Sequence, residues 1–258
     1  MRRIAAIVEY DGTDYAGWQA QAHAPSLQQA VEQALSFVAG HAVSAVCAGR
    51  TDRGVHAVGQ VIHFDTEALR TPRAWVLGTN SRLPPPVALQ WAGEVAADFH
   101  ARHSAVGRVY RYCILNSSTR SGLRRARSAW IHRPLDAAAM HGAAQTLLGE
   151  HDFSAFRSVE CQSKSARRRL DRIEVWRDRD LVWLEVEANA FLHHMVRNLV
   201  GTLVEVQDRP DPGPALAHIL ASRDRRLAGP TAPAAGLHLL RIVYPAGFAI
   251  PAPPGAFW

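Results

Sequence analysis

Apolar positions along the chain follow two rhythms, and the switches between them mark out the elements. Arg3–Tyr10 reads as a strand, followed by the turn-rich stretch DGTDYAGWQ. Ser26 then opens a helix with the capping-box spacing Ser26-x-x-Gln29. Leu27, Ala30, Val31, Ala34, Leu35 and Val38 give that helix one apolar face. Val43–Cys47 and Val58–Phe64 are rich in β-branched residues and read as strands. Thr71-Pro72 has the form of an N-cap followed by proline at the first helical position, and predicts a second helix to about Thr79. Val87–Val95 returns as a strand, which completes the order β-α-β-β-α-β.

The second half predicts the same order. Arg108–Leu115 is a strand and the alanine-rich Leu135–Leu148 a helix. Arg172–Trp176 and Leu181–Glu187 pair across the short RDRD connection. Ala190–Val206 is a strong helix, Pro214–Ser222 a shorter one, and Leu237–Tyr244 a closing strand. The expected fold class is therefore α+β, two ferredoxin-like halves whose mostly antiparallel sheets join around a central cleft. The expected domains are 1–104, 105–245 and an extended Pro/Ala-rich tail over 246–258.

Composition narrows the function. With 48% hydrophobic and 20% charged residues over 258 positions, the chain is a folding, soluble protein. No stretch approaches the roughly 20 apolar residues of a membrane span. The start, MRRIAAIVEYDG, meets Glu9 and Asp11 too soon for a signal-peptide core, so a cytoplasmic location is expected. Cys47, Cys113 and Cys161 are too few and too scattered for a disulfide framework or a CxxC site. No HExxH or other ligand spacing appears among the histidines, His193–His194 included, and neither metal nor cofactor is expected.

The net charge of +6 suits a polyanionic partner, and its distribution says more. Arg102, Arg108, Arg111, Arg120, Arg124, Arg125, Arg127 and Arg133 lie in a stretch with no acidic residue. Lys164, the only lysine, leads a second cluster with Arg167, Arg168 and Arg169. Both read as exposed loops able to reach phosphates. That makes nucleic acid the expected partner.

The stretch GRTDRGVHAVGQVIHF, residues 49–64, sets Asp52 between Arg50 and Arg53 and frames all three with glycines ahead of a buried strand. Two readings fit it: a reactive carboxylate in a fixed loop, or a surface Asx-turn with solvated arginines. The helix 190–206 carries a related anomaly. Phe191, Leu192, Met195, Val196, Leu199, Val200, Leu203 and Val204 cover more than half its circumference, and Arg197 lies at the edge of that arc. A guanidinium there calls for an anionic partner. Glu205 is two turns away, so Asp52 is a candidate, unless Arg197 snorkels to solvent.

These residues resemble a known family, the pseudouridine synthases of the tRNA pseudouridine synthase A type. AGRTDRGVHA (48–57) resembles its catalytic motif and YDGTDYAGWQ (10–19) its first motif. VYRY (109–112) resembles the segment with its active-site tyrosine, FLHHMVRN (191–198) its arginine-bearing helix, and APAAGLHL (232–239) its last motif. The matches run in the family's order over nearly the whole chain. Arg53 is a departure, standing where the family more often has alanine.

The resemblance implies isomerisation of uridine to pseudouridine at positions 38, 39 and 40 of the tRNA anticodon stem-loop. It implies Asp52 as nucleophile or base, and Arg197 as its ion-pair partner. Tyr110 would stack on the target base and help move a proton, Leu237 would wall the detached uracil from water, and Arg50 would help take the base out of the stack. Arg120, Arg124, Arg125, Arg127, Lys164, Arg167, Arg168 and Arg169 would grip the tRNA backbone. A homodimer contacting one tRNA is also implied.

Two other classes compete. Ferredoxin-like units occur in RNA-binding modules without chemistry, but the RNP-type pattern of closely spaced aromatics is missing. A glycosidase-like hydrolase would need a second carboxylate. Within a recognisable motif only Asp11 and Asp14 offer one, and both read as turn residues.

Overall fold

The computed structural model describes residues 1–253 and 255. The chain divides into two compact units, Met1–Val106 together with the chain from His238 onward, and Gly107–Leu237. It is a mixed α/β protein, with ten strands and five α-helices among the described residues.

In the first unit, β1 (Arg2–Tyr10) is the middle of the sheet, antiparallel to both β3 (His56–Thr66) and β4 (Val87–Val95). Ile4 to Val8 are buried on both faces, which is why β1 reads as an apolar run rather than an alternation. The register with β3 shifts between Val8 and Tyr10, just where β1 hands over to the following loop. α1 (Leu27–Ala39) starts where the Ser26 hydroxyl accepts from the Gln29 amide at 3.3 Å, and ends at Gly40, whose φ of 76° forms a left-handed cap. α2 (Pro72–Asn80) starts where Thr71 accepts from the Ala74 amide, with Pro72 at its first position. Its Trp75 is buried edge-on to Phe64 of β3, ring centroids 5.1 Å apart.

In the second unit, β9 (Leu181–Ala188) lies between β5 (Gly107–Asn116) and β8 (Arg167–Asp178), antiparallel to both. Glu185, 7% exposed, pins all three strands. Its carboxylate accepts from Arg111 of β5 at 2.6 Å and from Arg172 of β8, and Arg111 lies over the rings of Trp176 and Trp183. α3 (Ala137–Ala144), α4 (Met195–Val206) and α5 (Pro212–Ser222) complete the unit.

Several sequence expectations shift, each for a local reason. The strand expected over 43–47 shrinks to β2 (Val46–Cys47), the only part that pairs with β3. The helix expected over 135–148 begins after Asp136, whose carboxylate caps it, and tightens into a 3-10 turn over Gln145–Leu147. The helix expected over 190–206 begins only at Met195, because His194 adopts a left-handed φ of 60°. Phe191 and Leu192 thus precede α4, and Arg197 falls in its first turn. β6 (Ala129–Ile131) and β7 (Gly149–Asp152) are short strands that no rhythm announces; β6 runs parallel to β5 and β7 antiparallel to β8. Through β7, β8 gains Arg167, Arg168 and Arg169, expected in a loop.

The closing strand β10 (Leu237–Val243) runs parallel to β3, with His238 opposite His56 and Leu239 opposite Ala57. It therefore belongs with the first unit rather than closing residues 105–245 as a separate domain. The expected extended tail opens with a 3-10 turn, Ala246–Phe248, behind Pro245. Residues 254 and 256–258 of that tail lie outside the described residues.

Candidate active site

Asp52 sits in the connection between β2 and β3, half-buried, with Arg50 and Arg53 exposed on either side. The loop is clamped from within its own unit. Gln60 of β3, fully buried, donates its amide to the Gly49 carbonyl at 2.6 Å and reaches the Tyr10 hydroxyl at 3.4 Å. Tyr10, at the end of β1, shares a 2.8 Å hydrogen bond with the Thr51 hydroxyl. A buried polar chain thus runs from the sheet to the residue before Asp52.

The stretch after β1 grips the same loop from the other side. The Trp18 amide donates to the Thr51 carbonyl at 3.0 Å. Gly17, at φ 106°, leaves no room for a side chain: a Cβ would lie 2.7 Å from the Thr51 oxygen. A Cβ on Gly12 would run into the Val55 carbonyl. Beyond Asp52, Gly54 turns the chain at φ 76° and the Val55 amide donates back to the Asp52 carbonyl at 3.2 Å. The glycines at 12 and 17, more than the one at 49, are what let the loop be held this closely.

Asp11, which looked like a turn residue, does cap Thr13, and its carboxylate also lies 3.1 Å from Nδ1 of the buried His56. The His56 contact, helped by Thr13 and opposed by burial, holds the Asp11 carboxyl far below the usual carboxylate range. Asp11 is therefore a fixed anion, committed to holding the loop. The one thiol close by in sequence, Cys47, is pushed up to about 11 by burial, so it stays protonated at neutral pH. That leaves Asp52 as the reactive candidate of this loop.

In the second unit, β5 presents Tyr110 and Tyr112 on one face and Arg111 on the other. Tyr112 is buried and donates its hydroxyl to the Pro233 carbonyl at 2.6 Å, with its pKa pushed far up by burial. Tyr110 is half-exposed and meets Phe191 edge-on, ring centroids 5.1 Å apart. Of the two, Tyr110 is the more exposed. Arg197 is half-buried; its Nε donates to the Ala232 carbonyl at 2.7 Å, and the Ala232 amide returns a bond to the Arg197 carbonyl at 3.1 Å. Leu237, 6% exposed, begins β10 directly after Gly236, which packs against the Tyr112 ring.

The family model described as tRNA pseudouridine synthase matches residues 6–104 and 143–245. The chain belongs to the tRNA pseudouridine synthase family. It is 54% identical over 252 residues to "tRNA pseudouridine synthase A" of Xanthomonas axonopodis pv. citri (strain 306), covering 97% of this chain and 98% of that protein. It is 52% identical over 251 residues to the protein of the same name from Stenotrophomonas maltophilia (strain K279a), with the same coverage. A solved structure of a Cbf5-Nop10-Gar1 complex aligns with a TM-score of 0.43 at 12% identity, covering 92% of this chain and 48% of that one, so the chain spans about half its length. The family is one of isomerases; the first matched segment takes in the Asp52 loop and the second takes in Arg197 and Leu237, while Tyr110 lies between the two segments.

The basic residues separate into two kinds. Arg120, Arg125 and Arg127 stand exposed on the irregular segment between β5 and β6. Arg124, beside them, is held to Asp180 by two bonds of 2.8 and 3.0 Å. Lys164 is exposed ahead of β8. Arg167 pairs with Glu150 and Arg169 with Asp171, while Arg168 is half-buried among the carbonyls of Ser165 and Arg167, its pKa lowered by burial. Tyr10, Thr51 and Asn198 stand inside the quoted motifs without a role assigned to them, and Gln60 stands outside all of them. The signal available was Gln60, a polar residue inside the otherwise apolar run VGQVIHF. Among the described residues, no helix is long and apolar enough to cross a membrane.

Proposed function

We propose that this chain isomerises uridine to pseudouridine in tRNA, at positions 38, 39 and 40 of the anticodon stem-loop. The observation that carries it is the clamping of the Asp52 loop by Gln60, Tyr10 and Thr51 on one side and by Gly17 and Trp18 on the other. A carboxylate fixed on so rigid a base suits a reaction that begins with attack or proton removal at one sugar. The C1′–N1 bond breaks, the uracil turns, C5 joins C1′, and the C5 proton leaves as N1 gains one. No electron or water is consumed.

In this reading Asp52 is nucleophile or base, and Arg197 is its ion-pair partner, favouring the ionised carboxylate. Tyr110 stacks on the base and serves the proton transfer. Leu237 shields the detached uracil, and Arg50 takes part in extruding the base. The reading keeps the two ferredoxin-like halves about a cleft, a homodimer, and a cytoplasmic setting. Support for these assignments comes from the motif matches and from the geometry within each unit. The exposed Arg120, Arg125 and Lys164 are the strongest of the proposed backbone contacts.

The test is tritium release from tRNA labelled at uridine C5, with wild type and Asp52→Asn side by side. Release by wild type alone, without free uracil and with both proteins binding tRNA, is the expected result. Free uracil would make the protein a hydrolase. Binding by both with release by neither would make it an RNA-binding module.

A further inference from the structure

We propose that Arg225, which lies outside every motif above, is a positioning residue for Arg197 and acts through the segment 228–233. The proposal rests on the role assigned to Arg197. That arginine's Nε is bonded to the Ala232 carbonyl, so the direction of its guanidinium depends on where Ala232 is held. Of residues 230–233 only Ala232 is buried. A cavity of about 240 Å³ lies along the segment, lined by Tyr112, Val200, Val204, Pro230 and Pro233 among others, so apolar packing does not fix it.

Polar bonds do. Arg225 spreads its planar fork over four acceptors. Nη1 donates to the carbonyls of Ala228 (3.2 Å) and Gly229 (2.9 Å), and Nη2 donates to Asn198 Oδ1 (3.1 Å) and Thr231 Oγ1 (3.2 Å). The Thr231 hydroxyl donates to the same Asn198 oxygen at 2.6 Å. Asn198, 1% exposed and next to Arg197 on α4, is itself anchored by donating to the Phe156 carbonyl at 2.8 Å. One turn on, Thr202 accepts from the Gly229 amide at 2.9 Å. A Cβ on Gly201 would overlap the Pro230 carbonyl, so α4 and the segment touch backbone to backbone. Arg225 thus bonds both the start of the segment and the Asn198 side chain that anchors it on α4.

Displacing a catalytic group by about 1 Å can cost on the order of 10²-fold in rate. Arg225→Met keeps the volume and removes the fork. Its expected effect is a roughly 10- to 100-fold lower kcat for pseudouridine formation, with the tRNA dissociation constant unchanged within about two-fold. The assay runs below the unfolding midpoint of each variant, so that a lost folded fraction is not mistaken for lost rate. In an Arg197→Lys background, Arg225→Met costs at most about two-fold more, because the effect runs through Arg197. If Arg225→Met does not fold, Thr231→Val loosens the same segment, with an expected loss of about three- to ten-fold in kcat. Wild-type kcat in these variants, or an equal cost in both backgrounds, overturns the proposal. An Arg197→Lys protein with full activity would instead overturn the role assigned to Arg197.

Discussion

Gly17→Ala is the sharpest perturbation the first unit offers, because Gly17 lies far in sequence from Asp52 and against it in space. The backbone there has φ 106°, a conformation L side chains rarely adopt, at a cost of about 1–2 kcal/mol. The added Cβ would lie 2.7 Å from the Thr51 oxygen, 3.2 Å from the Asp52 carbonyl carbon and 3.2 Å from the Arg53 nitrogen. Relieving the first contact needs a shift of about 0.5 Å, and overpacking of this kind costs roughly 1–3 kcal/mol. The total is about 2–5 kcal/mol of stability. The strained atoms are those of the peptide that carries Asp52, so the same half-ångström shift is expected to lower kcat by about ten-fold. Gly49→Ala is the control: it lies inside the catalytic motif, yet a Cβ there meets nothing within 4 Å and its φ is not positive. It should cost under about 0.5 kcal/mol, as substitutions away from such features do, and leave kcat intact. Urea unfolding reads the stability and tritium release with saturating tRNA reads kcat, at a temperature where both variants are folded. Equal damage from the two substitutions would refute the reasoning. So would a Gly17→Ala protein that loses stability but keeps its rate.

Two further predictions concern charge. His63, 4% exposed, has its pKa lowered to about 4, chiefly by burial and then by His100 and Arg3, and its Nδ1 accepts from the Ala101 amide at 3.1 Å. The folded value lies below the unfolded one near 6.5, so stability is fully present above pH 6.5 and falls as pH drops toward 4; about 2 kcal/mol should be gone at pH 5. Urea unfolding at pH 7 and pH 5 checks this, and His63→Gln should flatten the difference; an unchanged difference would assign it to another group. For tRNA binding, Arg125→Ala should reduce the slope of log K against log salt by up to about 1, whereas Arg124→Ala, already committed to Asp180, should change it less. Equal slopes for the two would remove the distinction between exposed and ion-paired arginines.

Most of the fold was legible because each strong element carries its own signal. Val87–Val95 was read to the residue, and the Ser26 and Thr71 caps fix the starts of α1 and α2 with the bonds their spacing implied. Two of the misses, β6 and β7, share a cause: they are set by pairing partners rather than by the segment itself. β6 and β7 are three and four residues long, too short for any rhythm, and owe their strand form to pairing with β5 and β8. The late start of α4 turns on the left-handed backbone of His194, a non-glycine residue with nothing in its sequence context to announce it.

The site divides along the same line. Asp52, Tyr110, Leu237 and Arg197 were legible because each stands in a stretch that resembles one of the family's motifs. What holds them is built from residues that are ordinary in isolation, such as a tyrosine ending a strand, a glutamine inside one, and an asparagine one step past an arginine. Gln60 shows why such residues escape a linear reading. A fully buried amide is costly unless bonded, so its presence in β3 required a polar partner nearby, and the sequence could say only that one existed. The structure names it as the Gly49 carbonyl, three residues before Asp52. The same argument applies to Asn198, whose side chain is saturated by Phe156, Arg225 and Thr231. Gln60 and Asn198 thus each mark a place where a loop is held by polar bonds rather than by apolar contact. The glycines beside them, 17 and 201, mark where that loop comes too close for any side chain to intervene.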